Sequence, residues 1–488
     1  MNKDDGIIFL TDKFGKRDRT KEIQNISFDY AKNIWNINFC SDNRTFHYKK
    51  ENVKIIKNCL KDKQSSEVFD YLLQMAQFSD IKNDDGQNLL VKNLEKSRFV
   101  NEHSVLARYL NPKRGKVERE RIKSIIFPFG CNNSQFKAVD TAMKNQVSII
   151  QGPPGTGKTQ TILNIIANLL VNNKTVLVVS NNNDATANVY EKLSSQKYGM
   201  DYICAFHGKR QNVEDFLKSQ KQFYPDYLKE WRNQVPEYFD SLNEKIIHLE
   251  KYFEANEQIS SIKLELSELK TEKKYFDLNK NDFYETKKLI KKSSVTLMNL
   301  LQKIQNIYTE KEKLSFFTKF KLRSRFSLGP GKFWKTDAEK VIETIKATYY
   351  QQKKKELKDE LTKNEAIIKG FEPAKVYEEC LKRLRFDLAN KYSKNVERPQ
   401  FKDGKEIFIR AASFADEYPV ILSTTFSSRA TIGQGTEFLF DYVIMDEASQ
   451  VDVVTGALAL SCAKNAIIVG DKMQLPNVIE EENCARNF

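Results

Sequence analysis

The segment Gly152-Pro153-Pro154-Gly155-Thr156-Gly157-Lys158-Thr159 decides the fold of this 488-residue chain. An apolar run at 147–150 precedes it, and apolar side chains at helical spacing follow it at 162–170. Glycines permit the backbone dihedrals that let N–H groups surround phosphates, and the start of the next helix adds a partial positive charge. This order of strand, loop and helix predicts a phosphate-binding loop in an α/β fold.

The loop assigns roles to two side chains of an ATP site. Lys158 is expected to reach the β and γ phosphates, and the Thr159 hydroxyl is positioned to bind Mg²⁺. The predicted ATP-contacting residues are Gly152, Pro153, Pro154, Gly155, Thr156, Gly157, Lys158, Thr159 and Gln160.

A second segment, Asp446-Glu447-Ala448-Ser449-Gln450, follows the apolar run 442–445. The carboxyl end of a parallel strand is where such a sheet presents ligand-binding groups. Asp446 is therefore predicted to hold Mg²⁺, directly or through water, and Glu447 to orient and deprotonate the attacking water. A Glu447 that only caps a helix is the alternative.

A third segment, Gly-Asp-Lys-Met-Gln-Leu-Pro at 470–476, ends another apolar run. Here Gln474 is predicted to sense a γ phosphate, and Asp471 to bond the loop backbone or the water shell of the metal. Upstream, Ser134 is predicted as the N-cap of a helix, with Gln135 on its first turn. The Gln135 amide carries a donor and an acceptor, so it is a candidate to read an adenine edge.

Apolar runs alternate with helical segments around these motifs. The runs lie at 147–150, 175–180, 201–206, 420–423, 442–445 and 466–469. Continuous apolar strands that alternate with helices predict a parallel sheet covered on both faces. We therefore expect an ATPase lobe in two halves, 121–210 and 411–488, which an insertion at 211–410 separates in sequence.

Two smaller regions precede this lobe. Apolar residues alternate with polar ones at 35–39 and again at 46–48, with the turn-like Ser41-Asp42-Asn43 between them. This pattern predicts a β-hairpin within a small β module at 1–60. Residues 61–120 are predicted to form a helical connector, because their apolar residues recur near helical spacing.

The insertion has a different pattern. Its apolar residues step mostly by three and four from Leu242 to Leu269, and the spacing returns at Leu357 among lysines and glutamates. These steps predict a coiled-coil helical hairpin with arms near 240–310 and 337–395. A purely structural stalk is one interpretation of this hairpin.

The link between the arms, 311–335, indicates a second interpretation. It carries eight basic side chains against one acid, a net charge of +7, interleaved with six aromatic residues. Cations can follow phosphates and aromatic faces can stack on unpaired bases, so the tip is a candidate nucleic-acid contact. The alternative is that the aromatics fold the tip around Gly329-Pro330-Gly331. The basic residues predicted to contact nucleic acid are Lys319, Lys321, Arg323 and Arg325.

Composition narrows the class of protein and its partners. With 79 Lys and Arg against 65 Asp and Glu, the formal net charge of +14 favours nucleic acid ahead of an acidic membrane surface. Seven scattered cysteines without a Cys-x-x-Cys pair predict no iron–sulfur cluster and no structural metal site. The sequence shows neither a secretory signal nor an apolar run of about 18 residues, so we expect a cytoplasmic protein without membrane association.

In order, these motifs resemble those of the superfamily 1B helicases of the RNA-surveillance and DNA-replication type. The Gln135 segment resembles their Q motif, Asp446–Gln450 motif II and 470–476 motif III. Residues 180–183 are similar to motif Ia, and 423–425 to a threonine motif that contacts nucleic acid. The resemblance implies a first RecA-like lobe that hydrolyses ATP and moves 5′ to 3′ along single-stranded RNA or DNA. By the same resemblance, the strand contacts are Ser180, Asn181, Thr424 and Thr425.

The chain departs from the pattern of these helicases in two respects. Motif Ia reads Asn181-Asn182-Asn183 where relatives often carry proline and serine. Motifs IV, V and VI, with the arginine that crosses the ATP cleft, are not found before Phe488. We therefore expect the second lobe to be absent and autonomous unwinding to fail, unless a second chain supplies that lobe.

Two other classes of function remain as alternatives. One is an ATP-gated nucleic-acid-binding or assembly module without helicase activity. Co-purification with a chain that carries the missing motifs would distinguish a split motor from this module. The other is a chromosome-structural ATPase, which also has a phosphate loop, a long hairpin and a carboxylate pair in this order. That class requires a Ser-Gly-Gly signature, which 430–436 lacks.

Overall fold

The contacts of the chain divide it into two compact units. The sheet unit comprises Met1–Asn243 and Ala374–Phe488, and the helical unit comprises Glu244–Pro373. The computed structural model describes residues 6–12, 15–78, 86–114, 122, 125–233, 239–278, 289–310, 315–326, 338–393, 397–433 and 438–474.

Six antiparallel strands form the N-terminal module of the sheet unit. They are β1 (Gly6–Asp12), β2 (Gly15–Asp18), β3 (Ile23–Asp29), β4 (Ile34–Phe39), β5 (Asp42–Lys49) and β6 (Val53–Lys57). They pair in the orders β2-β1-β6 and β3-β4-β5. The predicted hairpin is confirmed, because Trp35 lies opposite Tyr48 and Ile37 lies opposite Phe46.

Three helices connect this module to the rest of the sheet unit: α1 (Lys63–Ala76), α2 (Leu89–Lys96) and α3 (Val105–Leu110). The Asp62 side chain caps α1 by accepting a hydrogen bond from the backbone N–H of Ser65 at 3.0 Å. Phe69, Leu94 and Leu106 are buried in one apolar cluster with Leu458, which comes from far along the chain. The connector is therefore packed onto the α/β part of the unit.

A six-stranded parallel sheet forms the centre of the unit. Its strands are β7 (Val147–Gln151), β8 (Val176–Ser180), β9 (Cys204–Phe206), β10 (Val420–Thr424), β11 (Phe440–Met445) and β12 (Ala463–Gly470). They lie in the order β7-β12-β11-β8-β10-β9, so strands from before and after the insertion are interleaved in one sheet. The predicted parallel α/β fold is confirmed, although the run at 201–206 contributes only three residues of strand.

Helices surround this sheet. In chain order they are α4 (Asn133–Lys144), α5 (Lys158–Val171), α6 (Asn183–Ser194), α7 (Arg210–Ser219), α8 (Tyr227–Asn233), α13 (Pro373–Tyr392), α14 (Gly404–Ile409), α15 (Ala411–Glu417) and α16 (Val453–Leu460). Leu163, Ile166 and Leu170 of α5 are all buried. This helix packs deep in the unit, and its N-terminus is correspondingly fixed in position.

The helical unit is built from long helices: α9 (Phe239–Leu278), α10 (Ser294–Glu310), α11 (Phe316–Arg325) and α12 (Ala338–Ile368). Ile262 and Leu269 of α9 are buried with Leu357 of α12. This contact follows from the predicted steps of three and four, which align apolar side chains along one helix face.

The helical unit is smaller than the insertion predicted at 211–410. Phe216, Phe401 and Ile407 are buried in the core of the parallel sheet, so the ends of the predicted insertion belong to the sheet unit. The predicted second arm, near 337–395, also differs from the structure. Helix α12 ends at Ile368 and α13 begins at Pro373, because Gly370 between them adopts a left-handed φ of 76° that ends a helix.

Candidate nucleotide site

The glycine loop connects β7 to α5 at the carboxyl edge of the sheet. Gly157, the N-cap of α5, has a φ of 81°, which L side chains rarely adopt. A Cβ at this position would also collide with Nε2 of Gln135. The backbone N–H of Gly152 donates to the carbonyl oxygen of Gly470 at 3.2 Å, which ties the start of the loop to the end of β12.

Two side chains that are far apart in the sequence meet at the mouth of this loop. Lys158 Nζ lies 3.6 Å from Glu447 Oε1, and both side chains are largely shielded from solvent. Glu447 has φ 50° and ψ 42°, a left-handed conformation that is uncommon outside glycine, and residues held in such conformations cluster at functional sites. Its side chain forms no capping hydrogen bond with the short turn Ala448–Gln450, so the helix-capping alternative is wrong.

Asp446 directly follows β11 and lies beside this pair. Its Oδ1 accepts a hydrogen bond from the backbone N–H of Glu447 at 2.9 Å, and its side chain is buried. Burial raises the pKa of Asp446 to about 6, and the Glu447 carboxylate adds to the rise while Lys158 and the Glu447 N–H oppose it. The carboxylate is thus desolvated in a position where a cation would stabilise its ionised form.

The third motif brings Gln474 to the same place. Among the described residues, Gln474 Oε1 and Glu447 Oε2 are buried and have no hydrogen-bond partner. Buried polar oxygens without partners are costly, so their presence at one mouth indicates a site that a polar ligand or water completes.

Asp471 forms hydrogen bonds within the turn that follows β12. The Asp471 Oδ1 accepts a hydrogen bond from the backbone N–H of Met473 at 2.9 Å. The backbone carbonyl oxygen of Asp471 accepts a hydrogen bond from the backbone N–H of Gln474 at 3.1 Å. Gly470, rather than the Asp471 side chain, contacts the glycine loop. Asp471 therefore orders the turn that carries Gln474.

The Q-like segment also differs from its prediction. The N-cap of α4 is Asn132, not Ser134, because Asn132 and Gln135 form a reciprocal capping box. The Gln135 Nε2 donates to the carbonyl oxygens of Thr156 and Gly157 at 3.2 and 3.3 Å, and its Oε1 accepts from Asn132 N at 2.9 Å. Both ends of this buried amide bond protein groups, so it does not face a base in this conformation.

A cleft of about 700 Å³ lies in front of the loop. Eight predicted residues line it: Pro154, Gly155, Gly157, Lys158, Thr159, Gln160, Glu447 and Gln474. Its remaining wall includes Phe129 and Tyr198, whose ring centroids are 4.2 Å apart. Tyr198 is not among the predicted residues, because it follows α6 in a segment without a recognisable sequence pattern.

The predicted strand contacts are mostly enclosed. Ser180, Thr424 and Thr425 are buried at the ends of β8 and β10, so their side chains do not face a strand at the surface. Thr425 is also held by its backbone N–H, which donates to the carbonyl oxygen of Ser180 at 3.1 Å. Asn181 is exposed, and its Nδ2 donates to the carbonyl oxygen of Gln450 at 2.6 Å.

The basic tip is only partly within the described residues. Helix α11 carries Lys319, Lys321, Arg323 and Arg325, and its aromatic residues Phe316, Phe317 and Phe320 are exposed. Leu322 and Phe326 are buried in the apolar cluster of the helical unit. The rest of the predicted tip, which includes the glycine–proline turn, comprises 311–314 and 327–335 and lies outside the described residues.

A glycine loop between a parallel strand and a helix, facing a carboxylate pair at a nearby strand end, defines a P-loop nucleotide-binding fold. A family profile described as "AAA domain" matches residues 130–482, more than two thirds of the chain. The chain therefore belongs to this AAA domain family, whose members are superfamily 1 helicases related to the regulators of nonsense transcripts.

Individual relatives agree with this assignment. The DNA polymerase alpha-associated DNA helicase A of Saccharomyces cerevisiae is 28% identical over 186 residues, which cover 37% of this chain and 25% of the relative. An ATP-dependent helicase of Mycoplasma genitalium is 56% identical over 50 residues, 10% of this chain and 4% of the relative. The regulator of nonsense transcripts 1 homolog of Drosophila melanogaster is 40% identical over 75 residues, 15% of this chain and 6% of the relative.

These matches span a quarter or less of the length of each relative. They therefore support a shared helicase lineage and leave the activities of the whole relatives as proposals for this chain. Separately, no helix in the described part of the chain has the length and apolar character needed to cross a membrane.

Proposed function

We propose that this chain is the ATP-binding and ATP-hydrolysing motor lobe of a superfamily 1 helicase that acts on single-stranded RNA or DNA. The observation that carries the proposal is the meeting of Lys158 and Glu447, 3.6 Å apart, at the mouth of the glycine loop. A cation for phosphate and a carboxylate for water are the two groups that phosphoryl transfer to water needs most.

The ion pair indicates how the site responds to nucleotide. When phosphates enter the loop, Lys158 turns from Glu447 to the β and γ oxygens, which carry more charge. Glu447 is then free to accept a hydrogen bond from a water molecule and to hold it in line with the γ phosphorus. The unpaired Gln474 Oε1 accepts a second hydrogen bond from that water.

The residues also fit a magnesium ion bound with ATP. Thr159 lines the cleft and Asp446 lies beside it as a buried carboxylate without an ion pair within 4.0 Å among the described residues. We propose that the Thr159 hydroxyl and the Asp446 carboxylate, directly or through water, hold Mg²⁺, which neutralises charge that develops on the phosphates when bound. A cation here would also relieve the unfavourable burial that raises the Asp446 pKa.

Full turnover requires one further charge. The cations among the described residues that line the cleft are Lys158 and Lys192, and no arginine is among them. We propose that a second lobe, from this chain or a partner chain, supplies an arginine across the cleft. Such a residue contributes about 10³ to 10⁵ to kcat in phosphoryl-transfer enzymes, so this lobe alone should turn over slowly.

The test is ATP hydrolysis by the chain with and without single-stranded RNA or DNA, with Glu447→Gln as the blank. We expect slow turnover that a strand increases and that the variant lacks. Turnover that is equal in wild type and Glu447→Gln under every condition would contradict the proposed role of Glu447. RNA that stimulates more than DNA, or the reverse, would identify the strand.

A further inference from the structure

The peptide group between Cys131 and Asn132 lies just before α4, and side chains hold both of its polar ends. Its carbonyl oxygen, on Cys131, accepts a hydrogen bond from Tyr377 Oη at 2.8 Å. Its N–H, on Asn132, donates to Gln135 Oε1 at 2.9 Å. A trans peptide group is planar, with its C=O and N–H pointing in opposite directions, so an orientation that is fixed at one end is also fixed at the other.

The Gln135 amide continues this chain of hydrogen bonds to the glycine loop. Its Nε2 donates to the carbonyl oxygens of Thr156 and Gly157 at 3.2 and 3.3 Å. The oxygen and the NH₂ group of a glutamine are alike in size, so their hydrogen-bond partners decide which of them faces which side. The N–H of Asn132 requires an acceptor, and it therefore directs Oε1 toward itself and Nε2 toward the loop.

Tyr377 belongs to α13, which follows the helical unit in the sequence. That unit ends at Pro373, the first residue of α13, and 246 positions separate Tyr377 from Cys131. Gly130 has a φ of 72°, and a Cβ on it would lie 3.4 Å from the Tyr377 ring, so the ring lies directly against this glycine. Burial raises the pKa of Tyr377, so its hydroxyl stays protonated and remains a donor.

We propose that Tyr377 is a positioning residue of the nucleotide site. Its hydroxyl orients the peptide between Cys131 and Asn132, and that peptide orients the Gln135 amide. The amide in turn holds the carbonyl groups of the glycine loop in the conformation that receives phosphates. Hydrogen bonds in such a chain polarise one another, so loss of the first bond weakens those that follow. The inference rests on the proposed function, in which this loop binds ATP.

The experiment measures the affinity of the full chain for Mg²⁺·ATP and for tripolyphosphate by calorimetry. The variant is Tyr377→Phe, which removes the hydroxyl and keeps the ring against Gly130. Tyr392→Phe is the matched control, because Tyr392 lies in the same helix and its Oη donates to the backbone carbonyl oxygen of Asp416 at 3.1 Å. Both changes are also made in a Gln135→Ala background, and thermal unfolding followed by circular dichroism verifies the fold of each variant.

Tyr377→Phe should weaken the binding of both ligands about fivefold, the change that corresponds to one neutral hydrogen bond of about 1 kcal/mol. In the Gln135→Ala background it should have no further effect, because the bonds that transmit its influence are already absent. Tyr392→Phe should lower the unfolding temperature to a similar extent and leave both affinities unchanged. This difference separates the positioning of the loop from the stability of α13.

Three results would overturn the inference and leave the proposed function intact. Wild-type affinity in Tyr377→Phe would mean that the loop keeps its conformation without the hydroxyl. A fivefold loss that persists in the Gln135→Ala background would mean that Tyr377 does not act through this amide. An equal loss in Tyr392→Phe would assign the effect to the stability of α13. A wild type that binds neither ATP nor tripolyphosphate, by contrast, would refute the proposed function and this inference with it.

Discussion

Replacing Gln135 with alanine tests whether this side chain supports the phosphate loop from behind. The change removes the hydrogen bonds from Nε2 to the carbonyl oxygens of Thr156 and Gly157, at 3.2 and 3.3 Å. A neutral hydrogen bond contributes about 1 kcal/mol net, so the loop loses about 2 kcal/mol. If the loop must be ordered to bind phosphates, the affinity should fall about 30-fold.

The assay is a calorimetric titration with ATP, GTP and tripolyphosphate. Because the bonds serve the loop and not the base, the affinity should fall by the same factor for all three ligands. A weaker affinity for ATP with little change for tripolyphosphate would refute this reasoning and restore Gln135 as a reader of adenine.

Asn132→Ala is the matched control for this change. It removes the N-cap bond to the backbone N–H of Gln135 at 2.9 Å and should cost about 1 kcal/mol of stability. It leaves the two bonds from Gln135 to the loop in place, so phosphate affinity should not change. An equal decrease of affinity in Asn132→Ala would mean that the stability of α4, rather than the hydrogen bonds to the loop, controls binding.

Three further predictions follow from buried or clustered charges. In nucleotide-free protein, Asp446→Asn should increase stability by up to about 3 kcal/mol at pH 7.5, because burial raises the Asp446 pKa to about 6 and its ionised form opposes folding above that pH. The gain should disappear as the pH is lowered toward 4, and urea unfolding at both pH values measures it. Glu417→Leu should cost about 3 to 5 kcal/mol in urea unfolding, because it leaves Arg398, 2.7 Å away and buried, without its ion pair; the double variant with Arg398→Met should cost much less. Replacing Lys319, Lys321, Arg323 and Arg325 with glutamine should reduce the salt slope of strand binding by about 0.7 for each phosphate that these side chains neutralise, and an unchanged slope would assign the tip a structural role.

The parts of the site that the sequence predicts are those that a backbone conformation dictates. The glycine loop must adopt left-handed dihedrals at Gly157, and no other residue type does so readily, so the motif and the geometry coincide. Asp446 and Gln474 follow apolar runs that end at one edge of a parallel sheet, and this shared edge brings them together.

Other features depend on choices that the sequence leaves open. Asn132 and Ser134 are both good N-cap residues taken singly, and the reciprocal capping box between Asn132 and Gln135 distinguishes them. Thr424 and Thr425 are polar residues at a strand end, a pattern that is the same for a buried and for an exposed side chain.

The end of the helical unit is another feature that the sequence pattern does not determine. Lysines and glutamates continue on both sides of residue 370, so helical spacing alone predicts one arm through to 395. Gly370 ends α12, and Cys380, Leu384 and Leu388 of α13 are then buried within the sheet unit. Tertiary burial, which spacing does not report, decides where the arm ends.

The central claim is that Lys158 and Glu447 serve one ATP site in different ways. The most direct measurement is calorimetric titration of Mg²⁺·ATP into the wild type, Lys158→Ala and Glu447→Gln. One site per chain is predicted in the wild type, with up to about 100-fold weaker binding in Lys158→Ala, since a charge-assisted hydrogen bond contributes up to about 3 kcal/mol. Glu447→Gln should bind as tightly as the wild type or more so, because it releases Lys158 from its ion pair. Equal affinities in the wild type and Lys158→Ala, or loss of binding in Glu447→Gln, would contradict the account.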